Sequence, residues 1–480
     1  MDLDLVIRGG RVVTSQGVFA ADIGISGERI AVIGENLPAG RKELDATGRW
    51  VMPGGVDPHA HIEQMSGMGL MNADTFESAT RSALLGGTTS VISFAAQPKG
   101  VRLRDVVADY AARAKRGALI DHAFHMTVSD PDQVALTEDL PALIAAGHRS
   151  IKVFTTYNIR LDDRQILDVM SVARAHGALV CVHAENDALI GWMRDRMLAA
   201  GLTRPQHHAL SRPRMAEIDA VERMIRFAEF LDQPLMLFHI STTEGAAAVA
   251  RAQRRGVPVR AETCPHYLLM TDAALDRDGI DGAKWMCSPP QRKSADVAGL
   301  WQALAEGTIE VVSSDHSPYR FDASGKLSAG PNPPFPQIAN GMPGLETRLP
   351  LMFDAMVSRR GLPPEAFVRA TSTAPARLYG LERKGDIAPG LDADLVLWDP
   401  VRSVTWGDND LHDNVGYNPF AGETITGWPE TVLLRGRIAA RAGAVLVQPG
   451  EGRWLQRNAP GFGPTGRQAE EIRIMEGKDA

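Results

Sequence analysis

Six residues able to bind a metal ion or move a proton stand in or at the ends of short apolar segments of this 480-residue chain. Asp57-Pro58-His59-Ala60-His61 closes the first segment, and Lys152 sits inside Ser150-Ile151-Lys152-Val153-Phe154. Val182-His183-Ala184-Glu185 and Phe238-His239-Ile240-Ser241 close two more, and Ser313-Ser314-Asp315-His316 closes the last. Neutral imidazoles suit zinc and related divalent ions, and catalytic sites for such ions keep a position for water. Two ions about 3.5–4 Å apart can share a hydroxide that is a nucleophile at neutral pH. Such a pair needs a bridging anion. A bare ammonium cannot ligate, whereas a lysine carbamylated by CO2 can do so through its carbamate oxygens. Lys152 lies where an unpaired charge is ordinarily excluded, so it is the candidate. One strand-end histidine alone is ordinarily a hydrogen-bonded structural residue. Four histidines, a lysine and an aspartate at corresponding places are read together as a metal site.

The elements that must position these residues follow a regular rhythm. Short β-branched, apolar segments at about 53–61, 88–94, 121–128, 150–157, 179–185, 234–241, 257–265 and 309–316 read as strands. Amphipathic helical stretches lie between them, among them Ile166 to His176, Met215 to Leu231 and Gly245 to Arg255. Eight such units predict an α/β fold of the (β/α)8 TIM-barrel type over residues 53–386, with the active groups at the carboxyl ends of the strands. Alternate residues of a strand share a face, so His59 and His61 can point together into the barrel mouth. No G-x-G-x-x-G follows the first strand, which argues against a dinucleotide site. Outside the barrel, Leu5-Val6-Ile7, Arg11-Val12-Val13, Asp22 to Ile25 and Arg29 to Ile33 read as short strands, with Gly27 in a turn. Late in the chain, Asp394 to Trp398 and Thr431 to Arg437 repeat the pattern, and Leu433-Leu434-Arg435-Gly436-Arg437 echoes Val6-Ile7-Arg8-Gly9-Gly10-Arg11. Residues 1–52 and 387–446 are therefore expected to build one small β-sandwich together. The tail, 447–480, is rich in Gly, Arg and Pro and reads as an oligomer-contact arm or a loose end.

Composition narrows the class. Lys+Arg 51 against Asp+Glu 58 gives a net charge of −7, which argues against nucleic acid or an anionic membrane as partner. Met1-Asp2-Leu3-Asp4 is acidic where a signal peptide is basic, and no apolar run has the length of a membrane span. Cys181, Cys264 and Cys287 are too few and too scattered for a disulfide framework or a Cys-x-x-Cys metal site. A reducing, cytoplasmic setting is expected. All three cysteines read as core or near-pocket residues, not nucleophiles.

With these residues in view, the sequence resembles the amidohydrolase superfamily and, within it, the dihydropyrimidinase/hydantoinase group. The matching stretches are Gly54-Gly55-Val56-Asp57-Pro58-His59-Ala60-His61, Gly86-Gly87-Thr88-Thr89-Ser90, Lys152-Val153-Phe154, Val182-His183-Ala184-Glu185-Asn186 and Ala261-Glu262-Thr263-Cys264-Pro265. They continue through Cys287-Ser288-Pro289-Pro290, Ser314-Asp315-His316, Asn340 to Glu346 and Thr371 to Ala376. The resemblance implies two divalent ions, usually zinc. His59, His61 and Asp315 would hold one, His183 and His239 the other, and carbamylated Lys152 would bridge them. It further implies that Asp315 takes the proton of the bridging hydroxide and passes it to the leaving nitrogen. Tyr157 would stabilise the oxyanion, and Ser288 and Asn340 would grip the ring amide. The implied reaction opens a dihydropyrimidine or hydantoin, as small-molecule substrate, to an N-carbamoyl amino acid in a homo-oligomeric enzyme, tetramer or dimer. Asp315-His316-Ser317-Pro318 and Thr263 to Tyr267 also resemble allantoinases, so an allantoinase or cyclic imide hydrolase is the alternative. A non-catalytic scaffold of the same fold is disfavoured by retention of all six ligands. His266 and His316 read as structural or supporting. The chain departs from the group after His61, where Ile62 to Met71 replaces a compact apolar loop. Its methionines suit an adaptable apolar pocket or, equally, helix packing or core filling.

Overall fold

The computed structural model describes residues 2–475. Its centre is an eight-stranded parallel sheet in chain order, β1 (Gly55–Ala60), β2 (Thr88–Ala96), β3 (Asp121–Thr127), β4 (Ser150–Phe154), β5 (Leu179–His183), β6 (Leu235–Leu237), β7 (Val259–Thr263) and β8 (Val311–Val312). The sheet closes where Ala60 bridges His316 and the His61 amide donates to the His316 carbonyl at 2.7 Å. Arg348, fully buried, staples this seam lower down by donating to the carbonyls of Val56 and Val312 at 3.1 and 3.0 Å. The predicted (β/α)8 barrel is therefore observed.

Side chains alternate across each strand as a barrel requires. Ile151, Val153, Val180, Val182, Leu235 and Leu237 pack outward in the large core under the helices. Phe94, Cys181, Met236, Phe238 and Val311 pack inward, over Leu378 and Tyr379. The helices that fix the mouth begin on side-chain caps. The Asp162 side chain accepts from the Gln165 amide, and the Asp162 amide donates to Gln165 Oε1 in return, opening Asp163–His176. The Asn186 side chain accepts from Leu189 and opens Asp187–Ala199 directly after β5.

Two of the expected strands are shorter than the apolar pattern predicts. The segment expected over 234–241 is a regular strand at Leu235–Leu237, and that over 309–316 at Val311–Val312, with isolated inter-strand bonds beyond them. The reason is local: His239 and Asp315 take left-handed backbone conformations, with φ of +40° and +46°, and leave the ladder before their side chains turn into the mouth.

Strands from the two chain ends share one sheet. Its order is Ala444–Val445, Arg437–Arg441, Thr424–Leu434, Leu395–Thr405, Trp50–Pro53, Arg11–Val13 and Val18–Ala20. A second sheet, of Arg29–Gly34, Asp22–Ser26, Leu5–Arg8 and Lys42–Asp45, packs against it through Ile7, Ile23, Ile25, Val51, Leu395 and Leu433. The tail, as far as residue 475, lies against the chain's own barrel. His122 donates to the Arg453 carbonyl and the Leu455 amide donates back to His122, at 2.9 and 2.7 Å. Residues 476–480 of the expected tail lie outside the described residues. Among those described, no helix is long and apolar enough to cross a membrane.

Candidate active site

The carboxyl ends of the strands surround a cavity of about 610 Å³ whose lining includes His59, His61, Lys152, Tyr157, His183, His239, Ser288, Asp315 and Asn340. Every residue expected at the site is thus brought to one place. His59 Nε2 and His61 Nε2 stand 3.0 and 3.3 Å from the same Asp315 oxygen, Oδ1. These three residues form a group able to hold a metal ion. The His183 and His239 rings are 4.5 Å apart between centroids, and His239 is 5.4 Å from His59.

Three of the four imidazoles are aimed by a bond on their outer nitrogen. His59 Nδ1 meets Glu262 Oε1 at 2.5 Å, His61 Nδ1 meets Gln64 Oε1 at 2.7 Å, and His183 Nε2 meets Glu185 Oε2 at 2.7 Å. The opposite nitrogen of each ring then faces the cavity, the arrangement that fixes tautomer and direction in metal-binding histidines. Glu185 is held in turn by Arg212 at 2.6 Å, and Arg212 lies 5.0 Å over the Tyr157 ring. Glu262, Gln64 and Arg212 were not expected from sequence. Glu262 gave a usable signal, a carboxylate in an apolar strand, the same anomaly that marks Lys152. Gln64 and Arg212 stand in loops and gave none.

The electrostatics favour a bound cation. Burial pushes the His59 pKa down, but Asp315 and Glu262 overcome it and lift the ring to about 9. Burial pushes the Asp315 carboxyl up, yet His59 and then His61 hold it well below the usual carboxylate range. Burial lowers His183 to about 4 and His239 well below its ordinary value, so both are neutral donors. Buried His239 Nδ1 has no hydrogen-bond partner.

Lys152 is wholly buried, and its Nζ also has no partner. It sits 3.9 Å above the Phe238 ring and 4.8 Å from that of Phe154. Burial brings its pKa down to about 7, so much of it is a neutral amine at neutral pH. An unpartnered amine in this cage is unfavourable unless something else completes it.

Tyr157 is a third site residue with a left-handed backbone, at φ +72°. A bulky side chain there is strained by about 1–3 kcal/mol, a cost that concentrates at functional positions. Burial raises its hydroxyl pKa, and Arg212, Ser288 and Asn340 are among the groups that bear on it. Buried Ser288 Oγ and Asn340 Oδ1 have no hydrogen-bond partner. His316 stands apart from the ligand cluster, bonded to Asp74 Oδ2 at 2.9 Å and receiving the Gly344 amide at 3.0 Å. His266 packs on Tyr267 at 4.2 Å. Cys287 lines the cavity, but burial pushes its thiol up to about 12, far from a reactive thiolate.

The loop after His61 does not make an apolar wall. Only Met68 of its methionines reaches the cavity, beside Gln64, Ser66 and Gly67, and Met65, Met68 and Met71 are 51, 48 and 44% exposed. The loop is clipped across the mouth by Asn158, whose Nδ2 donates to the Gly67 carbonyl at 2.7 Å. A Cβ on Gly67 would collide with that amide side chain, so any larger residue there would push Asn158 aside.

Comparison with known proteins agrees with this geometry. The Amidohydrolase family matches residues 50–439. The chain is 38% identical to the D-hydantoinase of Ralstonia pickettii over 458 residues, covering 95% of this chain and 99% of the relative. It is 39% identical to the D-hydantoinase of Rhizobium radiobacter over 459 residues, with shares of 95% and 99%. The crystal structure of dihydropyrimidinase from Brevibacillus agri superimposes with a TM-score of 0.91 at 37% identity, covering 95% of this chain and 98% of that one. On this evidence the chain belongs to the amidohydrolase family, in its hydantoinase and dihydropyrimidinase branch.

Proposed function

We propose that the protein hydrolyses cyclic amides, opening a dihydropyrimidine or hydantoin ring to an N-carbamoyl amino acid, with two divalent metal ions as cofactor. The observation that carries this reading is the convergence of four imidazoles, a carboxylate and an unpartnered buried amine on one cavity. His59, His61 and Asp315 would hold one ion and His183 and His239 the other. Lys152, as its carbamate, would supply the remaining anionic ligand, and zinc would suit the imidazole-rich donors. The depressed pKa of Lys152 supports carbamylation, which needs the neutral amine. When bound, such a metal pair makes water nucleophilic at neutral pH and polarises the amide carbonyl. The protein's own groups do the rest. Ser288 and Asn340 seat the ring amide against the cavity wall. Asp315 accepts a proton from the attacking water and returns it to the ring nitrogen as the C–N bond breaks. The Tyr157 hydroxyl donates to the carbonyl oxygen as it gains charge.

Replacing Lys152 tests the assembly. Lys152→Ala should purify folded but with less than half the wild-type metal content, and its hydantoin and dihydrouracil hydrolysis should fall at least a thousandfold. Full metal content and retained activity in this variant would remove the carbamate bridge from the account.

A further inference from the structure

We propose that the outer half of the cavity is a subsite for an acidic arm on the ring substrate, with Arg194 as its carboxylate-binding residue. The inference rests on the cyclic-amide reading above and specifies the substrate class.

Beyond the ligand cluster, Gln64, Asn158, Arg160, Asp187 and Arg194 line one side of the mouth as a polar wall, beside the apolar Met68 and Ile159. Its charges do not cancel. Asp187 is already satisfied, accepting from Thr156 Oγ1 at 2.9 Å and pairing with Arg160 Nε at 3.3 Å. Arg194 remains as the surplus cation of the wall. Among the described residues its one ion pair is with the next residue, Asp195, at 2.8 Å. That aspartate side chain is 68% exposed and does not line the cavity. A solvent-exposed pair between sequence neighbours is worth little and is readily exchanged for a ligand carboxylate.

The helix directs Arg194 inward. Asp187 and Arg194 are seven residues apart on Asp187–Ala199, so they share one face about 10 Å apart along the axis. Gly191 stands between them on that face. A Cβ there would lie 4.0 Å from Arg194 Nη2, so the guanidinium lies back over the bare glycine, towards the helix start and the cavity. The planar fork of a guanidinium matches a carboxylate in a way an ammonium does not.

The test is steady-state hydrolysis by the metal-loaded enzyme of two hydantoins with arms of equal length, one carboxyethyl and one carbamoylethyl. Wild type should favour the acid at least tenfold in kcat/KM, chiefly through KM. Arg194→Gln should bring that preference to within about twofold of unity, and Arg194→Lys should restore only part of it. An equal or better rate on the neutral amide, or a preference unchanged in Arg194→Gln, overturns the subsite. Unsubstituted hydantoin and dihydrouracil, run in parallel, separate the two readings. If these are opened and the acid is not preferred, only the subsite fails. If no cyclic amide is opened by metal-loaded enzyme, the function proposed above fails and takes the subsite with it.

Discussion

At the scale of single residues, the site is a set of polar groups whose neighbours decide what each can do. Tyr157 is the clearest instance. Its left-handed backbone turns the ring edge-on to His183 at 5.4 Å, while Arg212, itself fixed by Glu185, covers the ring. If the hydroxyl serves the carbonyl oxygen as charge develops, Tyr157→Phe should lower kcat about a hundredfold, with metal content and KM nearly unchanged. Kinetics and metal analysis on one preparation measure this, and an unaltered kcat would exclude the oxyanion role. The ligands were legible in the sequence because each breaks an apolar run within or at the end of a strand, where physics otherwise keeps polar groups out. Tyr157, Ser288 and Asn340 break no pattern and were reachable only through resemblance. Gln64 and Arg212 were out of reach altogether, since nothing local in a loop records which strand-end group it will meet.

At the scale of elements, the eight strands could be read from period and composition, but their ends could not. The apolar pattern runs on past Leu237 and Val312, while the regular ladder is interrupted where the backbone turns left-handed to present His239 and Asp315. The loops that carry Ser288 and Asn340 show a similar dependence on something distant. Lys326, fully buried, donates from Nζ to the Ala339 carbonyl at 2.9 Å and the Met286 carbonyl at 3.3 Å, and the Gly341 amide also donates to Met286, at 2.8 Å. One amine thus ties together the two segments on which Ser288 and Asn340 ride. Burial lowers its pKa to about 7, opposed only by Cys287. Removing two such bonds should loosen the grip on the ring amide more than the chemical step. Lys326→Met is expected to raise KM about five- to tenfold, the effect of about 1 kcal/mol or slightly more, with kcat within twofold. A fall in kcat at constant KM would show that the amine acts elsewhere, and a thermal melt would report any general loss of fold.

At the scale of the whole molecule, the barrel base is tied to the small sheets and the tail by buried charge. Lys384 Nζ meets Asp121 and Asp394 at 2.7 Å each and Asp392 at 3.0 Å, and Arg435 also pairs with Asp121. The tail adds Arg457, fully buried, which donates to Ser150 Oγ at 2.7 Å and the Phe124 carbonyl at 2.6 Å. Above it His148 packs 5.3 Å from Trp454. Burial, reinforced by Arg457, lowers His148 to about 4. The unfolded chain, with an ordinary value near 6.5, binds this proton more readily than the folded one. The stability contributed by neutral His148 is therefore present above about pH 6.5 and lost as pH falls towards 4. Between pH 6.5 and 5 the loss should be about 1.5 kcal/mol, since the slope rises to about 1.4 kcal/mol per pH unit only below pH 6.5. Urea denaturation of wild type and His148→Gln at both pH values measures it. Other groups titrate in both proteins, so the difference between the two slopes isolates His148. A steeper decline in wild type would show that the tail is held by a histidine that must stay uncharged. Parallel declines would assign its docking to the Arg457 and backbone contacts alone.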